Sequence, residues 1–175
     1  MKSDHSYGRS YSIKGQTPVL KKSASRFSCN VISMLSNMGT MRFMTFKENL
    51  TKKTFQHFLS RMIRGAKRKI FLIVDNHRAH HANTIRRWLS KRKHKIEIHY
   101  LPPYCPEMNP TELLNQDLKA NAFKHKMITN QTELEIATRV YLGDIQFKEF
   151  KVRSFFTPKS VEYAMHEYAT NCMAG

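Results

Sequence analysis

Apolar positions along this 175-residue chain fall into blocks of different period. Residues 26–35 and 40–46 are rich in β-formers, and Ser36-Asn37-Met38-Gly39 between them carries turn chemistry, with Gly39 able to take a positive φ. These segments predict a hairpin. Phe55, Phe58, Leu59, Met62 and Ile63 then recur at i, i+3, i+4, i+7 and i+8. That spacing predicts an amphipathic helix, with Thr51 placed to cap it. The block Ile70–Val74 is continuously apolar and ends on Asp75-Asn76-His77. A run this short, closed by a breaker and followed by a helical pattern, reads as a buried parallel strand.

A second helix should follow, with Ile85, Trp88 and Leu89 on one face and Arg87 and Lys91 elsewhere. Residues 96–101 read as a short strand stopped by Pro102 and Pro103. Pro106 and Pro110 stiffen the next loop, and Pro110 suits the first position of a helix. Glu112 then falls in that helix's first turn. Thr132 with Glu135 reads as a capping box for a further helix that turns Leu134, Ala137, Tyr141 and Ile145 inward. A last helical pattern runs through Val161, Ala164, Met165 and Tyr168. Residues 1–25 are polar and basic and read as irregular or edge strand. The order hairpin, α, β, α, β, α, α predicts an α/β fold with a mixed sheet.

Charge narrows the choice of partner. Lys and Arg number 30 against 13 acids, for a net charge of +17. An excess of this size points to a polyanion, and nucleic acid is the partner class expected. Residues 61–95 hold twelve Lys and Arg, and Asp75 is their only acid. Arg78, Arg86, Arg87, Lys91, Arg92 and Lys119 are the candidate phosphate contacts. Cys29, Cys105 and Cys172 show no paired spacing, which argues against a disulfide framework or a zinc ribbon and fits a reducing compartment. No apolar stretch approaches the ~20 residues of a membrane span. The first ten residues lack the apolar centre of a signal peptide. A soluble, cytoplasmic, nucleoid-associated protein with no membrane partner is expected.

Candidate chemistry centres on Asp75 and Glu112. Two carboxylates brought to one sheet edge can hold a divalent cation, because Mg²⁺ takes one or two carboxylates, waters and substrate phosphate. Each acid also has an ordinary reading. Asp-Asn is good turn chemistry, and a glutamate at a helix N-terminus is favoured by the dipole. Spacing alone leaves both open. His77, His80 and His81 suggest zinc but lack a convincing fourth ligand. Packing for one, and phosphate or solvent for the others, is the plainer reading. Glu107 is a second acid in the proline loop. Asp117 lies five positions beyond Glu112, on another side of the helix, and reads as a surface acid. Lys119 returns to Glu112's face, and Asn115 shares it. Trp88 fits the core stripe better than a base-stacking platform.

The wording around both acids resolves more than spacing does. FLIVDNHRAHH (71–81) and IHYLPPYCPEMNPTELLNQDLK (98–119) resemble the mariner-like DDE transposases of bacterial insertion sequences, as does GRSYSIKGQTPV (8–19). The likeness runs over roughly residues 3–125. It implies an RNase H-like mixed sheet flanked by helices. It also implies Mg²⁺- or Mn²⁺-dependent DNA cleavage and strand transfer at the element's ends, with two ions in the intact enzyme. Transposon ends and target DNA would be the partners, and a homodimer the assembly. Asp75 matches the second catalytic, metal-binding acid and Glu112 the third, because the family's third acid follows Asn-Pro; Glu107 is thereby set aside. The family's first acid ends a central strand that would lie upstream of Met1. Asp4, the nearest acid, reads as a loop residue.

Residues 1–175 are therefore expected to form one partial catalytic domain without the first, central strand and without the N-terminal helix-turn-helix region. Such a chain is expected to be inactive alone. The alternatives are a non-catalytic basic DNA-binding remnant and an RNase H-like nuclease directed to RNA. Asn115 stands where many relatives carry Trp, a difference expected to affect packing.

Overall fold

The computed structural model describes Lys14 and residues 27–123 and 128–165. Strands β1 (Asn30–Leu35) and β2 (Met41–Phe46) form the hairpin, antiparallel from Asn30↔Phe46 to Leu35↔Met41. Gly39 closes the turn at φ +85°, a conformation open to glycine at little steric cost. Helix α1 (Lys52–Ile63) starts on Thr51, whose hydroxyl accepts from the Thr54 amide. Strand β3 (Ile70–Val74), helix α2 (Asn83–Ser90) and strand β4 (Ile96–Tyr100) make a βαβ unit with a parallel pair, Ile70↔Ile96 to Val74↔Tyr100. A 3₁₀ turn (Pro106–Met108) leads to α3 (Pro110–Asn121), and α4 (Gln131–Gln146) and α5 (Glu149–Ser154) follow.

Period-2 alternation in β1 explains the layering. Ile32 and Met34 pack with Phe55, Leu59, Met62, Ile85, Trp88 and Ile96 on the α1/α2 side. Val31 and Leu35 pack with Leu114, Leu118, Leu142 and Val152 on the side of α3, α4 and α5. The hairpin is thus a wall between two apolar cores, with helices on both faces.

Among the described residues the hairpin and the β3–β4 pair are two separate two-stranded sheets. Side chains, not ladder hydrogen bonds, join them. The burial expected for β3 holds on one face only. Ile70, Leu72 and Val74 are half-buried against α1 and α2, whereas Phe71 and Ile73 are 61% and 41% exposed. A parallel strand is normally covered on both faces. Here no described element lies over Phe71 and Ile73.

One local expectation is corrected. The α4 capping box is built two residues earlier than Thr132 and Glu135. Asn130 accepts from the Glu133 amide, and the Glu133 carboxylate accepts from the Thr129 amide and hydroxyl. Asn outranks Thr as an N-cap, and the apolar face of α4 allows either start. The last helical pattern holds as far as it is described: after short α5 and a 3₁₀ turn (Lys159–Val161), with Val161 fully buried, residues 163–165 are helical. Tyr168 lies outside the described residues. No helix among those described is long and apolar enough to cross a membrane.

Candidate metal and DNA site

Parallel pairing puts the carboxyl ends of β3 and β4 at the same edge, where open α/β sheets gather their chemistry. Asp75 follows β3 directly. The Leu101 amide bonds to the Val74 carbonyl, extending the ladder by one step, and Asn76 Nδ2 donates to the Leu101 carbonyl at 2.6 Å. The Asp75 turn is therefore stitched to the start of the proline loop. That loop runs through Pro102, Pro103 and Pro106 and is held at its far end by Tyr163, whose hydroxyl donates to the Met108 carbonyl. Asn109 then caps α3, accepting from the Thr111 amide and hydroxyl, and Pro110 takes the first helical position. Glu112 follows in the first turn.

These constraints converge on one cavity of about 180 Å³ lined by Asp75, Asn76, Leu101, the proline loop, Asn109 and Glu112. The two predicted acids meet there. Glu107 is exposed on the 3₁₀ turn and does not line it. Asp4 lies outside the described residues. Among those described, no group of three or more His, Cys, Asp and Glu residues converges as a metal cluster. The acids thus form a pair.

Asp75 is the better tethered of the two. Its Oδ1 accepts from the His77 amide at 3.1 Å and lies 3.1 Å from His80 Nδ1. The hydrogen bond from His80 holds the Asp75 carboxyl below the usual carboxylate range; partial burial opposes this and the His77 amide reinforces it. Neither Asp75 nor Glu112 has a Lys or Arg within ion-pair distance among the described residues. Glu97, Asp117, Glu135, Asp144 and Glu149 all do. Glu48, Glu107 and Glu133 also lack a Lys or Arg partner among the described residues; what sets Asp75 and Glu112 apart is that they line one cavity.

The histidines have separate roles. His80 is buried, its ring 4.2 Å from that of Phe55. His81 stacks on Tyr100 at 4.3 Å and pairs with Asn76 Oδ1. His77 Nδ1 accepts from the Ala79 amide. Packing for one histidine was legible in the sequence; the bond from that same histidine to Asp75 was not.

Of the predicted phosphate contacts, Arg78, Arg86, Arg87, Lys91 and Lys119 are all exposed and have no carboxylate partner among the described residues. Lys91 caps α2 rather than lying within it. Arg92 is a correction. Its guanidinium sits 4.4 Å over the Trp88 ring and donates to the Trp88 carbonyl, so it packs the helix end.

Asp117 is a second correction. It is 14% exposed and accepts from Tyr141 Oη at 2.6 Å and from Lys151 Nζ at 2.7 Å, tying α3 to α4 and α5. Helical phase placed it away from Glu112 correctly, but that side faces other helices.

Sequence reasoning also missed Tyr104. It lines the cavity, is fully exposed, and is the only non-glycine at positive φ (59°) among the described residues. Its place in a run of prolines was the available signal.

A family model described as DDE superfamily endonuclease matches residues 1–135. No curated protein matches. Among solved structures the chain is similar to the Mos1 strand transfer complex, with a TM-score of 0.57 and 16% identity over 91% of this chain. It spans half the length (50%) of that structure's chain. At this identity the likeness is one of fold, and the fold is RNase H-like, with a mixed α/β arrangement. The match over most of its length shows that the chain belongs to the DDE superfamily of endonucleases.

Proposed function

We propose that this chain is the catalytic part of a DNA transposase, built for divalent-metal-dependent DNA cleavage and strand transfer at the ends of a mobile element. The observation carrying the proposal is the pair Asp75 and Glu112, lining one cavity and left without Lys or Arg partners in a chain of charge +17. The donor set is all oxygen, and the cavity has room for an ion with several waters. These residues fit Mg²⁺ or Mn²⁺.

When bound, such ions activate an attacking oxygen and stabilise the leaving one in a phosphodiester displacement. The chain's own residues do the rest. Asp75 and Glu112 supply negative charge at a fixed point on the sheet edge. Arg78, Arg86, Arg87, Lys91 and Lys119 neutralise DNA phosphates. The proline loop keeps the acids in register. Among the described residues no third carboxylate joins this pair.

Mn²⁺ titration followed by electron paramagnetic resonance tests this reading. The chain should bind Mn²⁺, and Glu112→Gln should abolish that binding while DNA binding persists. DNA binding with no Mn²⁺ uptake would favour a purely basic DNA-binding role. Preference for an RNA–DNA hybrid over duplex DNA would favour a nuclease of the same fold.

A further inference from the structure

His80 is the buried polar group nearest the site to which the proposed chemistry gives no role. Its Nδ1 faces two acceptors, the Asp75 carbonyl and Asp75 Oδ1, each at 3.1 Å. Both are oxygens without a proton to give, so Nδ1 carries the hydrogen and donates. The ring is fixed from behind by Phe55 at 4.2 Å, and the His80 backbone carbonyl accepts from the Tyr100 hydroxyl on β4. His80 therefore has little freedom to swing. Oδ1 already takes the His77 amide. With the Nδ1–H as well, its accepting directions are largely used within the turn. Oδ2 has no hydrogen bond to any described residue, and the Asp75 side chain is 57% exposed.

We infer that His80 is a positioning residue, which fixes the Asp75 carboxylate so that Oδ2 alone is presented to a divalent cation. This rests on the reading of Asp75 as a cation ligand. An imidazole that orients a ligating carboxylate acts as other outer partners of metal ligands do. Their removal typically weakens metal binding by about 10–100-fold.

The test uses Mn²⁺ affinity in three proteins. His80→Phe keeps a ring on Phe55 and removes the donor. His80→Asn keeps a donor, Nδ2, at the place of Nδ1. The inference expects His80→Phe to weaken Mn²⁺ binding by ~10-fold or more, and His80→Asn to restore most of it. Equal affinity in wild type and His80→Phe overturns it. So does a loss shared by both variants, which would mark a packing role. If His80→Phe does not fold, nitrogen-15 imidazole spectra of the wild type decide. A protonated, slowly exchanging Nδ1 supports the inference, and a bare Nδ1 overturns it. Wild-type protein that binds no Mn²⁺ would instead refute the cation reading itself.

Discussion

Asp117 offers the sharpest energetic prediction. It lies on α3, the helix that carries Glu112, and joins that helix to Tyr141 on α4 and Lys151 on α5. A hydrogen bond to a charged group contributes ~1.5–3 kcal/mol. The Tyr141 bond is short and its carboxylate is largely shielded, so it belongs in the upper half of that range. Lys151 is 39% exposed, so its ion pair adds ~0–1 kcal/mol. Asp117→Ala should therefore cost ~3 kcal/mol, a sizeable part of a net stability of ~5–15 kcal/mol.

A double-mutant cycle of Asp117→Ala with Tyr141→Phe, read by urea unfolding at pH 7, isolates the shared bond. The expected coupling is at least ~1.5 kcal/mol. Coupling below ~0.5 kcal/mol would refute this account and return Asp117 to the solvated surface. The pH dependence carries a second check. Burial first, then the bond to Asp117, raises the Tyr141 hydroxyl above its ordinary pKa. A raised folded value means the contribution is complete below the unfolded pKa of ~10. It is lost as pH climbs through the folded value. The wild type's advantage over Tyr141→Phe should shrink in strongly alkaline buffer, not in acid.

Gly39→Ala should destabilise more than Gly65→Ala in thermal melts. Both glycines have positive φ, costing ~1–2 kcal/mol for any L side chain, but only at Gly39 would the new methyl run into Glu149. Tyr104→Gly should leave stability within ~1 kcal/mol, since relief of positive φ offsets glycine's entropy and no packing is lost. If DNA enters the cavity that Tyr104 lines, the substitution should weaken DNA binding measured by fluorescence anisotropy, and unchanged binding would exclude Tyr104 as a DNA contact. Alanine at each of Arg86, Arg87, Lys91 and Lys119 should reduce the slope of log K against log salt by ~0.9, and an unchanged slope excludes that side chain from phosphate contact. Asp75→Asn should lose stability relative to wild type near neutrality. The depressed folded pKa of Asp75 makes its contribution complete above ~4, and the gap between the two should close as pH falls through that folded value.

Much of this was legible in the chain itself because the signals are local. The Thr51 cap, the Gly39 turn, Pro110 at a helix start and the apolar run before Asp75 each depend on neighbours a few residues away. So does the placement of Asp75 at a strand's end and Glu112 in a first helical turn. The misreadings needed distant partners. Asp117 reads as solvated until Tyr141 and Lys151, 24 and 34 positions later, close over it. Arg92 reads as a phosphate contact until it folds back on Trp88. The α4 cap failed for another reason: Asn130 with Glu133, two residues earlier, is the better capping pair, because Asn outranks Thr at the N-cap. One histidine was expected to pack; it is His80, and only the turn geometry reveals its bond to Asp75.

Asp75 and Glu112 are proposed to share one divalent ion at the sheet edge. Fe²⁺ in place of Mg²⁺, with ascorbate and peroxide, generates radicals that cut polypeptide beside the bound metal. In the DNA complex, cleavage is expected in the Asp75–His77 turn and in the 102–112 segment, lost together in Asp75→Asn and in Glu112→Gln. Cuts confined to other segments, or cuts that survive both substitutions, would contradict it.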